Sequence, residues 1–223
     1  MIPKIIPVIH YADDEQTMRN AQRALEAGCD GIMLIDMQGS NAGRLAAAAM
    51  SIKTRRPDML VGINYLSCDP VLAMERNIAD GLDMTWTDEQ LTHSSGDHIA
   101  DAERARDVLS TCDGHLLFTG VAFKHQRIEP NPVEAARNAV AMGLIPTTSG
   151  SATGIAAEVD RIAALRSGLG AEAPLAIASG ITPRNAAEFS PHLSHILVAT
   201  GVSSSFHEFD PELLSALVAA VRA

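Results

Sequence analysis

The sequence predicts a single α/β domain of the (β/α)8, or TIM-barrel, class, and three observations carry the prediction. Short β-branched or aliphatic runs alternate eight times with longer Ala/Leu/Arg/Glu-rich stretches at helical spacing. Glycines close several of the helical stretches just before the next strand. Small and polar residues gather where strands are expected to end, while the opposite connections, such as Arg56-Pro57-Asp58, are short turn material. A chain of 223 residues, 47% hydrophobic and 20% charged, is long enough to close one core and lies near the lower size limit for a complete barrel. One domain over residues 1–223 is therefore expected.

Taken in order, the first strand is expected at Ile5–His10 with its helix at Asp14–Ala27, and the second at Gly31–Ile35 with Ala42–Arg55. Leu60–Tyr65 leads to Pro70–Asp80, and Met84–Thr87 leads to Ile99–Ser110. In the second half, Leu116–Phe123 precedes Pro132–Met142, and Ile145–Thr148 precedes Ala156–Ser167. Leu175–Ser179 precedes Pro183–Phe189, and Ile196–Ala199 precedes Pro211–Val221. Gly28, Gly81 and Gly143 sit at corresponding helix ends, a weak internal repeat that supports the count. Pro70, Pro132, Pro183 and Pro211 fall at first turns of helices, where the missing N–H is harmless. A doubly wound open sheet would carry a glycine-rich turn after its first strand, and Ile9-His10-Tyr11 has none.

Composition excludes several classes of function. A formal charge of −10 argues against a protein that grips nucleic acid, because such proteins concentrate Lys and Arg. The three cysteines are widely spaced and lack zinc-site spacing, so they read as reduced packing thiols of a cytoplasmic protein. No metal and no cofactor is expected. No apolar run approaches membrane-crossing length, and Pro3 and Pro7 interrupt the first ten residues. Apolar helix faces leave room for a homo-oligomer.

The sharpest functional signal is the pair Ser179-Gly180 and Thr200-Gly201, with Ser203 close behind. Each places a hydroxyl residue and a glycine where a strand stops, so that backbone N–H groups can meet an anion, as phosphate sites after the last two barrel strands do. The plainer reading is that these glycines only make tight turns. A second small-residue loop follows the sixth strand, where Ser149, Gly150, Thr153 and Gly154 are candidate loop contacts or simple linker.

Lys124, one of only three lysines, ends an apolar run, and the other two lie at the amino terminus and on an outer helix. It is a candidate anion contact, base or Schiff-base nucleophile, against a lysine that snorkels into water. Asp36, Asp88, Asn64 and His10 complete the candidate catalytic set at strand ends, although a lone Asp there more often caps the following segment. The polar stretch 88–98 has the length of a lid, and its His93, Asp97 and His98 match metal ligands only loosely.

The runs Gly150-Ser151-Ala152-Thr153-Gly154, Ser179-Gly180-Ile181-Thr182-Pro183-Arg184-Asn185 and Val198-Ala199-Thr200-Gly201-Val202-Ser203 resemble the C-terminal half of the BtpA-like barrel proteins. Pro7-Val8-Ile9-His10 and Val61-Gly62-Ile63-Asn64 echo its N-terminal half. The same C-terminal motifs are shared with phosphate-binding barrels such as the phosphoribosyl isomerases. The resemblance implies a β/α barrel, with a role in photosystem I accumulation for the name-giving members. Three functions follow as expectations: an enzyme acting on a small phosphorylated metabolite, a sugar phosphate or nucleotide; a non-catalytic assembly or regulatory factor; and an aldolase-like enzyme using Lys124.

Overall fold

The computed structural model describes residues 2–97, 99–124, 126–150 and 156–223. Eight parallel strands close into a barrel in sequence order, β1 (Lys4–His10), β2 (Gly31–Ile35), β3 (Leu60–Asn64), β4 (Met84–Thr87), β5 (Leu116–Gly120), β6 (Ile145–Thr148), β7 (Ala176–Ala178) and β8 (His195–Val198). Pairing of Lys4 with His195 and Pro7 with Val198 closes the ring between β1 and β8. The helices are α1 (Asp14–Glu26), α2 (Ala42–Arg55), α3 (Pro70–Ala79), α4 (Ile99–Leu109), α5 (Pro132–Ala141), α6 (Val159–Leu169), α7 (Ala186–Phe189) and α8 (Pro211–Arg222). The expected TIM barrel is the fold observed. No helix among the described residues is long and apolar enough to cross a membrane.

Strand alternation sorts the apolar side chains into two concentric cores. Ile6, Val8, Met33, Ile35, Met84, Trp86, Phe118, Ile145, Ala176, Ala178 and Leu197 fill the barrel interior. Ile5, Ile9, Ile32, Leu34, Val61, Ile63, Leu117, Ile177, Ile196 and Val198 face outward, against helix residues such as Leu45, Met74, Ile162 and Leu214. Because both faces are covered, the strands read as continuous aliphatic runs rather than alternating ones. The helix starts are set by side-chain caps: Asp13, Asp69, Asn131 and Asp210 each accept from an N–H in the first turn that follows.

Most expected boundaries hold or shift by about one residue; three move by three, α6 opening at Val159 instead of Ala156. The fifth strand stops at Gly120 instead of running to Phe123, since Ala122 takes φ 47° and turns the chain out of the sheet. Pro183 does not open a helix: Asn185 accepts from the Thr182 N–H at 2.8 Å and donates to the Gly180 carbonyl at 2.9 Å, making a turn before α7 begins at Ala186.

Candidate functional site

The ends of β7 and β8 lie side by side because Ala178 pairs with Leu197. Ser179 and Gly180 follow with φ of 80° and 79°, a left-handed pair that swings the chain sharply over the barrel rim. For Ser179 this backbone is costly, and its hydroxyl is buried without a hydrogen-bond partner. After β8, Thr200–Val202 forms a single 3-10 turn, closed by the Val202 N–H donating to Ala199 at 3.0 Å and by the Ser203 hydroxyl donating to the same carbonyl at 2.8 Å. A Cβ on Gly201 would lie 1.9 Å from the Ile181 carbonyl oxygen, so the two loops touch backbone to backbone. Among the described residues the N–H groups of Gly180, Thr200 and Gly201 meet no acceptor. Unpaired backbone donors at neighbouring strand ends make a concavity suited to an anion.

A polar cluster stands elsewhere on the same rim. Asn64 lies on the inward side of β3 and donates from Nδ2 to Asp88 Oδ1 at 3.3 Å. Burial pushes the Asp88 carboxyl up, against the opposing pull of the Lys124 charge and the Asn64 hydrogen bond. Burial pushes the Lys124 ammonium down, and Asp88 works against it. The Lys124 Nζ stands 5.5 Å from the centre of the Phe123 ring. His10 completes the cluster at the end of β1; burial lowers its pKa, a hydrogen bond to the Phe206 carbonyl raises it, and the charges of His207 and Lys124 lower it again. Asp88, Lys124, Asn64 and His10 are thus brought together at one mouth.

Asp36 stands apart from them. It has the opposite parity to the inward-facing Met33 and Ile35, and its carboxylate accepts from the N–H groups of Gln38 at 3.0 Å and Asn41 at 2.9 Å. Burial raises its pKa, but these hydrogen bonds outweigh burial and hold it below the usual carboxylate range. It borders a cavity of about 250 Å³ shared with Asn64, Tyr65 and Cys68. Ser149 is buried; its hydroxyl donates to the Gly150 carbonyl at 2.8 Å and accepts from the Lys124 N–H at 2.8 Å. Gly150 borders a cavity of about 340 Å³ with Phe123, Lys124 and Arg161. Thr153 and Gly154 lie outside the described residues, as do His98 and His125.

Part of the stretch whose length suits a lid is packed down. Leu91, Thr92 and His93 are buried, and the carboxylate of Glu129 holds the segment from the β5–α5 loop. It accepts from the Ser94 hydroxyl, from Gln90 Nε2 at 2.8 Å and from the Asn131 N–H at 3.0 Å, and it meets His93 Nδ1 at 3.2 Å. Burial raises the Glu129 pKa, and the hydrogen bonds from Ser94, Asn131 and Gln90 more than reverse that effect. No group of three or more metal-ligating side chains occurs among the described residues.

Sequence reasoning missed four contributors. Trp86, on the inward side of β4, buries its indole Nε1 without a partner, and Gln126 likewise buries Oε1. Arg161 on α6 donates to the carbonyls of Ala122 at 2.7 Å and Ser149 at 3.4 Å, stapling the β5 and β6 loops together. Phe206, 54% exposed, stacks on His10 with ring centres 4.2 Å apart. Strand parity could have flagged Trp86, and the place of Gln126 just after the fifth strand puts it at the rim; nothing local signals Arg161 or Phe206.

No protein-family model matches the chain, and no curated protein sequence matches it. Solved structures do share its fold. "Native KDPGal structure" aligns with a TM-score of 0.71 at 15% identity, covering 98% of this chain and 94% of that one. Phosphoribosylanthranilate isomerase from Thermotoga maritima gives 0.69 at 13% identity over 99% and 98%. 3-Keto-L-gulonate-6-phosphate decarboxylase from Vibrio cholerae gives 0.69 at 12% identity over 100% and 98%. At these identities the likeness is one of fold.

Proposed function

We propose that this protein is an enzyme acting on a small phosphorylated metabolite, a sugar phosphate or a nucleotide, bound at the C-terminal face of the barrel. The observation that carries the reading is the pair of touching loops after β7 and β8. There, among the described residues, the N–H groups of Gly180, Thr200 and Gly201 meet no acceptor, and the Ser179 hydroxyl is buried without a partner. A phosphoryl group would satisfy these donors together, with the Thr200 hydroxyl at its edge, while the Ser203 hydroxyl, bonded to the Ala199 carbonyl, would shape the turn. That two of the fold neighbours are named for phosphorylated compounds supports the same reading.

Asp88, Lys124, Asn64 and His10 would surround the reacting end of the ligand. Burial pushes the Asp88 carboxyl up and the Lys124 ammonium down, the directions that favour proton exchange between each group and a substrate. Asn64 would orient Asp88, and Ser149 and Gly150 would shape the loop that carries Lys124. Asp36 would hold the β2–α2 loop at the rim rather than touch the reacting atoms. A phosphorylated small molecule is thus the partner, bound without nucleic acid.

The test is a turnover screen over phosphorylated sugars and nucleotides with wild type, Asp88→Asn and Lys124→Met. Turnover of one member, lost in both variants while binding persists, is the expected result. Binding without turnover of any member would favour the non-catalytic factor implied by the BtpA-like resemblance. Borohydride trapping of a carbonyl substrate on Lys124 would move the reaction to the aldolase-like class.

A further inference from the structure

The loop between β8 and α8 is clamped to α1. Gln16 and Asn20, both buried in α1, donate to the His207 carbonyl, Asn20 at 2.7 Å. Asn20 Oδ1 accepts from the Phe209 N–H at 3.1 Å, Arg23 donates to the Phe209 carbonyl at 2.9 Å, and Glu208 pairs with Arg19 and Arg23. His207 Nδ1 meets the His10 carbonyl at 3.1 Å. These contacts hold the loop that carries the Phe206 carbonyl beside His10.

Two contacts then act on the His10 imidazole. The Phe206 ring lies over it at 4.2 Å with an interplanar angle of 13°. His10 Nδ1 stands 3.0 Å from the Phe206 carbonyl oxygen. A carbonyl oxygen only accepts, so Nδ1 must carry the proton, and in the neutral ring the lone pair then belongs to Nε2. Nε2 has no hydrogen-bond partner among the described residues, and the ring belongs to the inward-facing row of β1 that continues Ile6 and Val8.

We propose that the Phe206 carbonyl, held by the clamp to α1, positions His10 and fixes its ring as the Nδ1–H tautomer, so that Nε2 offers its lone pair to the ligand as a general base. What the base acts on rests on the reading of the mouth as a substrate site; the tautomer and its dependence on the clamped Phe206 carbonyl do not. In the step itself, Nε2 takes a proton from an O–H or C–H of the substrate, the electron pair of that bond stays on the substrate, and the imidazolium keeps Nδ1–H on the Phe206 carbonyl. Burial first, and then the neighbouring His207 and Lys124, disfavour the imidazolium, which the Phe206 carbonyl favours.

The experiment is nitrogen-15 NMR of the histidine side chains in the ligand-free protein, with the His10 signals identified by their loss in His10→Gln. Wild type is expected to show protonated Nδ1 and unprotonated Nε2 above the His10 pKa. In Gln16→Ala/Asn20→Ala, which removes both side-chain donors to the His207 carbonyl and frees the loop that carries the Phe206 carbonyl, the population is expected to shift to the Nε2–H form that free imidazole side chains favour, whereas Phe206→Ala, which keeps that carbonyl, is expected to retain the Nδ1–H form. The buried His195 signal serves as the folding control, so a variant in which it is unchanged has kept its barrel. An Nε2–H tautomer in wild type, or a His10 tautomer indifferent to Gln16→Ala/Asn20→Ala in a folded protein, would overturn the proposal. Because no ligand is present, that outcome is independent of whether phosphate binds.

Discussion

Gly201 and Ile181 approach so closely that a Cβ on the glycine would sit 1.9 Å from the Ile181 carbonyl oxygen. The contact belongs to two backbones, so no side-chain rearrangement can relieve it. Gly201→Ala is therefore expected to force the β7 and β8 loops apart, costing about 1–3 kcal/mol of stability by analogy with overpacked cores. Denaturant unfolding measures it, and an unperturbed midpoint would mean the loops are not in contact.

Ser179→Ala separates binding from stability. Its hydroxyl is buried and unpartnered, and removing such a group relieves a desolvation penalty, so the ligand-free variant should be as stable as wild type or slightly more so. Its affinity for inorganic phosphate should nevertheless fall, as read by calorimetric titration. Unchanged affinity would remove the hydroxyl from the anion site.

Glu129 is expected to make stability acid-sensitive. Its folded pKa lies below the ordinary value, so its contribution is present above the unfolded pKa and is lost as pH falls through the folded one. Unfolding free energy measured below about pH 4.5, near the reference for glutamate, should drop more steeply in wild type than in Glu129→Gln. The variant should also be less stable at neutral pH by about 1–3 kcal/mol, since the carboxylate satisfies several donors around it.

His195 acts in a higher window. Burial lowers its pKa to about 4 from 6.5, so the unfolded chain binds the proton first, and stability falls as pH drops from 6.5 toward 4. At about 1.4 kcal/mol per unit the full loss is roughly 3 kcal/mol. His115, also lowered by burial, adds to the same slope. His195→Leu should flatten the stability profile between pH 6.5 and 4, and an unchanged slope would place the proton uptake elsewhere.

The barrel was legible because eight aliphatic runs and their caps are local features, and Asp13, Asp69, Asn131 and Asp210 do what their residue types favour. Its anion-facing loops were legible because Ser179-Gly180 and Thr200-Gly201 pair a hydroxyl with a glycine at consecutive strand ends. Parity was the harder matter: both strand faces are apolar, so nothing in the run Gly31–Ile35 says that Asp36 turns from the mouth while Asn64 and Asp88 turn toward it. The strand before Lys124 was expected to run to Phe123 and stops at Gly120, since the positive φ of Ala122 turns the chain out of the sheet. Phe206 reaches His10 from 196 positions away, and the clamp that delivers it is tertiary throughout.

The most direct test is thermal unfolding with inorganic phosphate and with matched phosphorylated and unphosphorylated sugars and nucleosides, in wild type and Thr200→Glu. Thr200 is exposed, so the substitution sets a carboxylate at the anion site without burying it. A ligand that binds only the folded chain raises the midpoint with its concentration. The account predicts a rise with the phosphorylated members alone, abolished by Thr200→Glu. Equal shifts from the unphosphorylated partners, or a rise that survives the added carboxylate, would contradict it.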